Sequence, residues 1–267
     1  MLLVHGQPGL GSDWEAVAAR LSGHRLLLVD RPGYGASGDE PTTMAGNAAL
    51  LAELLTERGA SPATVVGHSY GGGIAIVLAA THPELVSGLV LVASTGLAGS
   101  LNSVDRALAA PVVGEALSAV GLFALGRVLP RLRRVAGVGS ATALQWVQAS
   151  LPDDTYRATS TQLGRRVWHS FVVEQRALLR EIGSVESALA SVRAPTVVIS
   201  GSWDVVVPPA VSAGIAAAIS GSELVSVART GHFVPRDAPE VVASAVRRVE
   251  ARADAVGRPR HEQDTGA

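Results

Sequence analysis

The sequence predicts an α/β protein in which a mostly parallel, doubly wound sheet carries an inserted helical segment. Short apolar runs of strand length alternate with longer amphipathic stretches along most of the 267 residues. Strands that alternate with helices pair in parallel, and the helices cover both faces of the sheet. Between about residues 97 and 193 an Ala-, Leu- and Arg-rich helical pattern with Pro and Gly breaks replaces this alternation. The interruption predicts a helical cap inserted between two strands of the core.

Each element follows from its local pattern. β-Branched or Leu-rich runs predict six strands, at residues 2–4, 25–29, 64–66, 88–92, 196–200 and 224–227. Amphipathic stretches predict helices near residues 13–21, 43–58, 71–81, 208–219 and 239–253. The end of the chain is polar and has no apolar face, so we expect it to be flexible. The expected organisation is a core of residues 1–96 and 194–253, a helical cap of residues 97–193 and a tail of residues 254–267.

Composition excludes several kinds of chemistry and partner. The formal net charge is −1 and no long basic run occurs, so nucleic acid is not an expected partner. The chain has no Cys, which rules out a thiol nucleophile and fits a reducing, cytoplasmic location. It also has no Lys, which rules out a Ser-Lys dyad. Pro111, Gly114, Glu115 and Gly121 interrupt the apolar stretch 107–129, so stable insertion into a membrane is not expected.

The pentapeptide Gly67-His68-Ser69-Tyr70-Gly71 is the most informative motif. It lies between an apolar β-branched run at 63–66 and a helix-like stretch at 72–79, a context in which a sharp turn displays a serine as a nucleophile. Gly67 and Gly71 fit this turn because a Cβ at either position would collide where strand and helix approach each other. Ser69 is therefore the candidate nucleophile, and it indicates acyl-transfer chemistry.

A serine nucleophile needs a base, and the base needs an acid that orients it. Asp204 follows a buried-strand pattern at 196–201, and His232 follows the next strand. Both lie where the carboxyl ends of parallel strands meet. We predict that His232 is the base and Asp204 the acid, with Asp237 as the competing acid. The chain order Ser69, Asp204, His232 is the one expected for such a serine on an α/β sheet.

The remaining requirement is a pair of donors for the developing oxyanion. The segment at residues 5–9, His-Gly-Gln-Pro-Gly, leaves the first strand with glycines that let its amides turn. We assign the backbone N–H groups of Gln7 and Tyr70 to the oxyanion hole. Trp203 and Phe233 are sequence neighbours of the proposed acid and base, so we expect them to line the substrate pocket.

Taken together, these motifs resemble the α/β-hydrolase superfamily. The resemblance rests on residues 5–9 and 30–37, on the Gly-His-Ser-Tyr-Gly-Gly motif at 67–72, on Gly-Ser-Trp-Asp at 201–204 and on Gly-His-Phe at 231–233. It covers nearly the whole predicted core. It implies an α/β-hydrolase fold, a Ser-His-Asp triad with a two-amide oxyanion hole, a helical cap, a small-molecule substrate, and neither a cofactor nor a metal.

One departure from the family pattern concerns the first strands. Members usually have two further strands before the one that ends in the His-Gly pair, and this chain begins inside that strand. We therefore expect the N-terminal strand pair to be missing, or the start site to have been placed too late in the reading frame. With the pair missing, residues 25–29 should form an exposed sheet edge through which copies of the chain could associate.

Individual residues narrow the choice within the superfamily. Dehalogenases and epoxide hydrolases use Asp as the nucleophile, where this chain has Ser69, and the epoxide class also expects two cap tyrosines, where only Tyr156 is present. Hydroxynitrile lyases of the plant type need an active-site Lys, and this chain has no Lys, so that class is not expected. The oxyanion motif is similar to that of proline iminopeptidases, in which case Glu174 or Glu181 would bind an amine.

The expected activity is hydrolysis of a small, fairly apolar ester, thioester or lactone, because the cap is poor in polar side chains. A cofactor-free perhydrolase and a carbon–carbon bond hydrolase on the same triad stay open, as does a ligand sensor without hydrolytic activity. The carbon–carbon bond hydrolases usually have Trp after the catalytic His, where this chain has Phe233.

Overall fold

The computed structural model describes residues 1–124 and 167–257 of the chain. At its centre lies a parallel sheet in the order β2-β1-β3-β4-β5-β6. The strands are β1 (Leu2–Val4), β2 (Leu27–Val29), β3 (Ala63–His68), β4 (Val86–Val92), β5 (Thr196–Gly201) and β6 (Glu223–Val227). All six overlap the runs that the sequence predicts as strands, which confirms the α/β class.

Helices follow most of the strands and pack on both faces of the sheet. The α-helices are α1 (Glu15–Ala18), α2 (Met44–Glu57), α3 (Tyr70–Thr81), α4 (Ser103–Ala109), α5 (Val113–Phe123), α6 (Val167–Ala188), α7 (Pro209–Ala218), α8 (Val234–Asp237) and α9 (Pro239–Gly257). Short 3-10 turns occur at Gly11–Trp14, Pro83–Leu85, Ala98–Ser100 and Leu189–Ser191. The helix expected near 13–21 is shorter than predicted, because residues 13 and 14 belong to the 3-10 turn and α1 ends at Ala18.

The alternation of side chains along the strands builds two cores. Leu89 and Leu91 of β4 pack with residues of α2, α3, α6 and α7, whereas Val90 and Val92 pack on the opposite face against α1 and α9. Successive residues of a strand point to opposite faces, so an uninterrupted apolar strand supplies both cores at once. This is the doubly wound arrangement that the sequence predicts.

The strand β2 lies at one edge of the sheet. Among the described strands it pairs only with β1, which agrees with the expectation of a sheet edge at residues 25–29. The strand begins at Leu27 rather than at Arg25, and the Arg25 carbonyl accepts a hydrogen bond from the amino group of Met1 (2.9 Å). Association through this edge stays a prediction.

The segment between β4 and β5 contains α4, α5 and α6 and, in its described part, no strand. The helix α6 packs against α4, α5 and the core helix α3. Residues 125–166, which include Tyr156 and a large part of the predicted cap, lie outside the described residues. The boundaries of the cap at 97 and 193 therefore stay a prediction.

The last helix, α9, extends to Gly257, four residues beyond its predicted end. The guanidinium of Arg252 donates to the carbonyl of Gly221 (2.6 Å) and so ties this end of the helix to the start of β6. Of the predicted tail, residues 258–267 lie outside the described part of the chain. No described helix combines the length and the hydropathy needed to cross a membrane.

Candidate active site

Ser69 occupies a strained turn between β3 and α3. Its backbone angles are φ 54° and ψ −121°, a region that residues with a Cβ rarely adopt. A Cβ at Gly67 would lie 2.7 Å from the Cα of Gly72, and one at Gly71 would collide with the carbonyl oxygens of Val4 and His5. The glycines on both sides are thus required by the close approach of strand and helix, for the steric reason that the sequence predicts.

Asp204 and His232 form a buried hydrogen-bonded pair. His232 Nδ1 lies 2.8 Å from Asp204 Oδ2, and their side chains are 5% and 0% exposed. The other carboxylate oxygen of Asp204 accepts the backbone N–H groups of Val206 (2.8 Å) and Val207 (2.9 Å). Because Nδ1 is engaged with the carboxylate, Nε2 is the ring atom of His232 that remains for proton transfer.

The competing acid is engaged elsewhere. Asp237 ends the short helix α8, and its Oδ1 accepts a hydrogen bond from Nε of its neighbour Arg236 (2.7 Å). Asp204 is therefore the carboxylate that contacts the His232 ring among the described residues.

His68 joins the Ser69 turn to the loop that carries His232. Its ring centroid lies 4.8 Å from that of His232, and its Nε2 donates to the His232 carbonyl (2.9 Å). Burial, together with the smaller effect of the neighbouring His232, lowers the pKa of His68 to about 3, so His68 is neutral. His68 is a packed residue that links the Ser69 turn to the loop of His232. Ser69 and His232 therefore lie at the same end of the sheet.

The loop after β1 approaches the Ser69 turn from the other side. A Cβ at Gly6 would lie 3.1 Å from the Cβ of Ser69, so glycine allows this close approach. The N–H groups of Gln7 and Tyr70, the predicted oxyanion donors, have no recorded acceptor in the described part of the chain. Tyr70 is the first residue of α3, where an N–H has no partner within the helix.

A buried ion pair that sequence reasoning missed lies behind this loop. Arg31 donates to the carbonyls of His5 (Nε, 3.1 Å) and Gly6 (Nη2, 2.8 Å), and its guanidinium also pairs with the carboxylate of Glu174. The hydroxyl of Tyr34 donates to Glu174 Oε2 (2.7 Å). Both charged side chains are fully buried. Burial alone would lower the pKa of Arg31, but the carboxylate of Glu174 raises it, so the guanidinium stays protonated.

His5 adds a second donor to the same loop. Its Nε2 accepts the backbone N–H of Arg31 (3.0 Å), which leaves the proton on Nδ1, and Nδ1 donates to the Gly6 carbonyl (2.8 Å). Burial, helped by the charge of Arg31, lowers the pKa of His5 well below its usual value. His5 therefore hydrogen-bonds locally as a neutral ring.

The two glutamates considered as amine ligands are both occupied. Glu174 is taken up by Arg31 and Tyr34, and Glu181 accepts the backbone N–H of Met44 (2.7 Å) at the start of α2. The idea that either of them binds a substrate amine is therefore wrong for this arrangement. Each instead holds α6 on the core.

A cavity of about 440 Å³ opens beside Ser69. Its walls come from the loop after β1 and from the helices between β4 and β5. Most of the lining residues are apolar, and they include Leu101, Leu108, Leu117, Phe171, Leu178 and Val207. Asn102, Asp105 and Gln175 add a polar strip, in which Gln175 Nε2 donates to Asp105 Oδ1 (3.2 Å).

Trp203 and Phe233 are not among the described residues that line this cavity, and their role in a substrate pocket stays a prediction. Phe233 packs its ring 5.5 Å from the ring of His232 and lines a different cavity, together with His5 and His68. The backbone N–H of Trp203 donates to Thr230 (2.9 Å), in a turn that buries the following Asp204 and leaves Trp203 partly exposed. The pocket is formed instead by the inserted helices, whose contribution depends on their packing.

The chain has the fold and the serine turn of an α/β hydrolase. A sequence model of the alpha/beta hydrolase family matches residues 1–245, and the chain belongs to that family. Within the described residues no cluster of three or more His, Asp or Glu side chains could hold a metal ion.

Proteins similar to this chain include an uncharacterised protein and two proteins named as hydrolases. An uncharacterised protein of Mycobacterium tuberculosis is 31% identical over 251 residues, which cover 90% of this chain and 71% of that protein. A 2-hydroxy-6-oxononadienedioate/2-hydroxy-6-oxononatrienedioate hydrolase of Cupriavidus pinatubonensis is 30% identical over 219 residues, or 79% of this chain and 71% of that protein. The structure of a thermophilic esterase from Thermogutta terrifontis matches with a TM-score of 0.66 at 23% identity, covering 94% of this chain and 89% of that one; it shows the shared fold.

Proposed function

We propose that this chain is a serine hydrolase that cleaves a small, fairly apolar ester, thioester or lactone through an acyl-enzyme on Ser69. The observation that carries the proposal is the buried Asp204–His232 pair, which lies at the same end of the sheet as the strained turn of Ser69. A serine in such a turn becomes a nucleophile when a neighbouring imidazole accepts its proton.

The proposed reaction has two halves, formation of the acyl-enzyme on Ser69 and its hydrolysis by water. His232 Nε2 takes the proton of the Ser69 hydroxyl as its oxygen attacks the carbonyl carbon, and Asp204 holds the imidazolium in place. The N–H groups of Gln7 and Tyr70 stabilise the oxyanion of the tetrahedral intermediate. The leaving group departs with the proton from His232. Water, deprotonated by His232, then attacks the acyl carbon and releases the acid and free Ser69.

The cavity supports the proposed substrate class. It has space for a small acyl or alkyl group, and its mostly apolar lining favours such a group over a charged one. We propose that residues 97–193 form a cap whose helices α4, α5 and α6 supply much of this lining. No cofactor is needed for the proposed steps.

Labelling with a fluorophosphonate probe, followed by intact mass measurement, tests the nucleophile. We expect one covalent adduct on Ser69, and a Ser69→Ala variant that hydrolyses nitrophenyl esters about 10³-fold more slowly, or worse, while it still binds ligand. Ser212→Ala is a matched control, because Ser212 is a buried serine on α7 outside the cavity.

If Ser69→Ala hydrolyses an ester panel as fast as the parent protein, the proposal is wrong. A chain-length series of the same esters, run beside a peroxide assay, distinguishes an esterase from a perhydrolase. Ligand binding without an adduct or turnover would indicate a sensor.

A further inference from the structure

Arg31 is fully buried, yet the proposed reaction gives it no role. It lies two residues after the end of β2, and its donor groups are engaged: Nε with the His5 carbonyl, Nη2 with the Gly6 carbonyl, and the guanidinium fork with Glu174. Five N–H donors of a buried guanidinium need acceptors, and two of the acceptors used here are backbone carbonyls of the same loop. The direction of these bonds therefore points to the loop itself.

The carbonyl of Gly6 and the N–H of Gln7 belong to the same peptide group. This peptide is trans, so its C=O and its N–H point in opposite directions across one rigid plane. Two donors hold the carbonyl end, Arg31 Nη2 (2.8 Å) and His5 Nδ1 (2.8 Å). Fixing the carbonyl fixes the N–H, which then points away from Arg31. Gln7 lines the cavity together with Ser69.

The guanidinium is itself held from several sides. Its carbon lies 5.0 Å from the ring centroid of Tyr34 and 5.1 Å from that of Tyr70. Glu174 of α6 binds the fork, and the Tyr34 hydroxyl holds Glu174 in turn. A planar guanidinium between two rings and a carboxylate has little freedom to rotate. Arg31 is therefore held in one orientation, and its ionic partner in that orientation is a residue of α6.

The same helix contacts the oxyanion loop at a second point. The side-chain amide of Gln7 donates to the carbonyl of Phe171 (2.7 Å), one turn before Glu174. Phe171, Gln175 and Leu178 of this helix line the cavity. The helix that contacts a bound substrate thus also holds the loop that supplies an oxyanion donor.

We propose that Arg31 is a positioning residue for the oxyanion hole, and that its pairing with Glu174 couples the orientation of the Gln7 N–H to helix α6 of the inserted segment. This inference rests on the proposed function for its catalytic meaning, whereas the orientation itself is measurable without turnover. The competing explanation is that the pair only anchors α6 to the core.

The test compares a double variant, Arg31→Met with Glu174→Met, with the parent protein. Removing both charges together leaves no unpaired buried charge, so we expect the unfolding midpoint to stay within a few degrees. Loss of an oxyanion donor costs about 10²- to 10³-fold in kcat, and a misdirected one should cost about 10- to 100-fold with KM changed less than about threefold. Affinity for a boronic acid, whose serine adduct places an oxygen in the oxyanion hole, should fall by a similar factor.

Two further variants isolate the geometry. Arg31→Lys keeps the charge next to Glu174 but cannot reach both carbonyls, so it should lose kcat in the same way. The double variant Arg248→Met with Glu223→Met removes an ion pair between α9 and β6, whose side chains are 37% and 43% exposed, and should leave kcat unchanged. Full activity in Arg31→Lys would show that charge alone is needed, and would overturn the proposal.

A structural measurement separates this inference from the proposed function. In protein labelled with ¹⁵N-glutamine, the residual dipolar coupling of the Gln7 amide reports the direction of its N–H bond. We expect it to change in the Arg31/Glu174 double variant and to stay constant in the Arg248/Glu223 one. An unchanged coupling overturns the inference whether or not Ser69 turns over. Absence of labelling and turnover in the parent protein, with a changed coupling, overturns only the proposed function.

Discussion

The Asp204–His232 pair and the Arg31–Glu174 pair are built differently although both are buried beside the same loop and turn. The first joins two loops 28 residues apart, which leave the neighbouring strands β5 and β6 at the same end of the sheet. The second spans 143 residues and joins the loop after β2 to helix α6 of the inserted segment. Parallel strand pairing alone delivers the first pair, whereas the second requires the insertion to be packed on the core. The comparison teaches that the sheet places the proposed acid and base, while the insertion places the loop opposite them.

The two pairs also differ in how their charges are compensated. Asp204 accepts two backbone N–H groups in addition to the imidazole, so its carboxylate is stabilised without a permanent positive charge. Glu174 depends on Arg31 and the Tyr34 hydroxyl, and Arg31 depends on Glu174 for its only anionic contact among the described residues. Removing one partner should therefore affect chemistry in the first pair and stability in the second.

The largest expected effect is on turnover in the first pair. In Asp204→Asn, the amide would donate to His232 Nδ1, which places the imidazole proton on Nε2 and prevents that atom from accepting the serine proton. We expect kcat to fall by about 10⁴-fold. The Asn oxygen still accepts the two backbone N–H groups, so the unfolding free energy should change little. Steady-state kinetics of ester hydrolysis and urea unfolding measure the two quantities.

Asp237→Asn is the control for this prediction, because Asp237 is the competing acid and bonds to Arg236. It should retain the turnover of the parent protein. If Asp237→Asn lost activity while Asp204→Asn kept it, the contrast between the two pairs would have no catalytic meaning.

The second effect, on stability, belongs to the other pair. Glu174→Met alone leaves the buried guanidinium of Arg31 without a counter-charge, and breaking a buried pair in this way costs about 3–5 kcal/mol in unfolding free energy. Glu181→Met on the same helix removes a hydrogen bond to the Met44 N–H and should cost about 1–3 kcal/mol. Urea unfolding of both variants measures the difference. Equal losses in the two variants would mean that leaving Arg31 without a counter-charge costs no more than losing one hydrogen bond.

The difference between the pairs also explains what the sequence could and could not predict. The six strands and the glycines around Ser69 follow from local pattern and local sterics, and strand ends are shared by all parallel neighbours, so Asp204 and His232 were placed at one rim from short motifs. Glu174 carried no such signal, because its partner depends on how α6 lies on the core. A signal did exist at Arg31, a charged residue between Asp30 and Pro32 just after a strand, but the motif alone does not say what Arg31 contacts.

Trp203 and Phe233 show that closeness in sequence does not predict which residues line a cavity. Closeness in sequence to Asp204 and His232 suggested that they line the pocket, yet neighbouring residues in a turn point to different sides. The cavity walls come mainly from residues of the insertion, such as Leu117, Phe171 and Leu178. The part of the chain that supplies these walls is thus the part whose packing is hardest to predict from periodicity.

The smallest expected effect concerns pH and the two histidines that border the pairs. Burial lowers the pKa of His68, next to His232, to about 3, and lowers that of His5, next to Arg31, well below its usual value. Below about pH 6.5 the unfolded chain binds protons at these residues and the folded chain does not. The histidines therefore lower the unfolding free energy as the pH decreases below 6.5, and have no such effect above it. Between pH 7.5 and 5.0, His68 alone should cost about 2 kcal/mol of stability.

Asp13 opposes this trend, because burial raises its pKa to about 6 and the folded state then favours the protonated carboxyl. The stabilisation that Asp13 contributes to the unfolding free energy is present at low pH and is lost as the pH rises through 6. The unfolding free energy of the parent protein therefore depends less steeply on pH than it would with the histidines alone. For this reason the measurement compares variants. In His68→Gln, which keeps a donor for the His232 carbonyl, the loss of unfolding free energy between pH 7.5 and 5.0 should be smaller than in the parent by about 2 kcal/mol. A pH dependence in His68→Gln identical to that of the parent would show that His68 binds its proton over the same pH range in the folded and unfolded states, and would contradict the prediction.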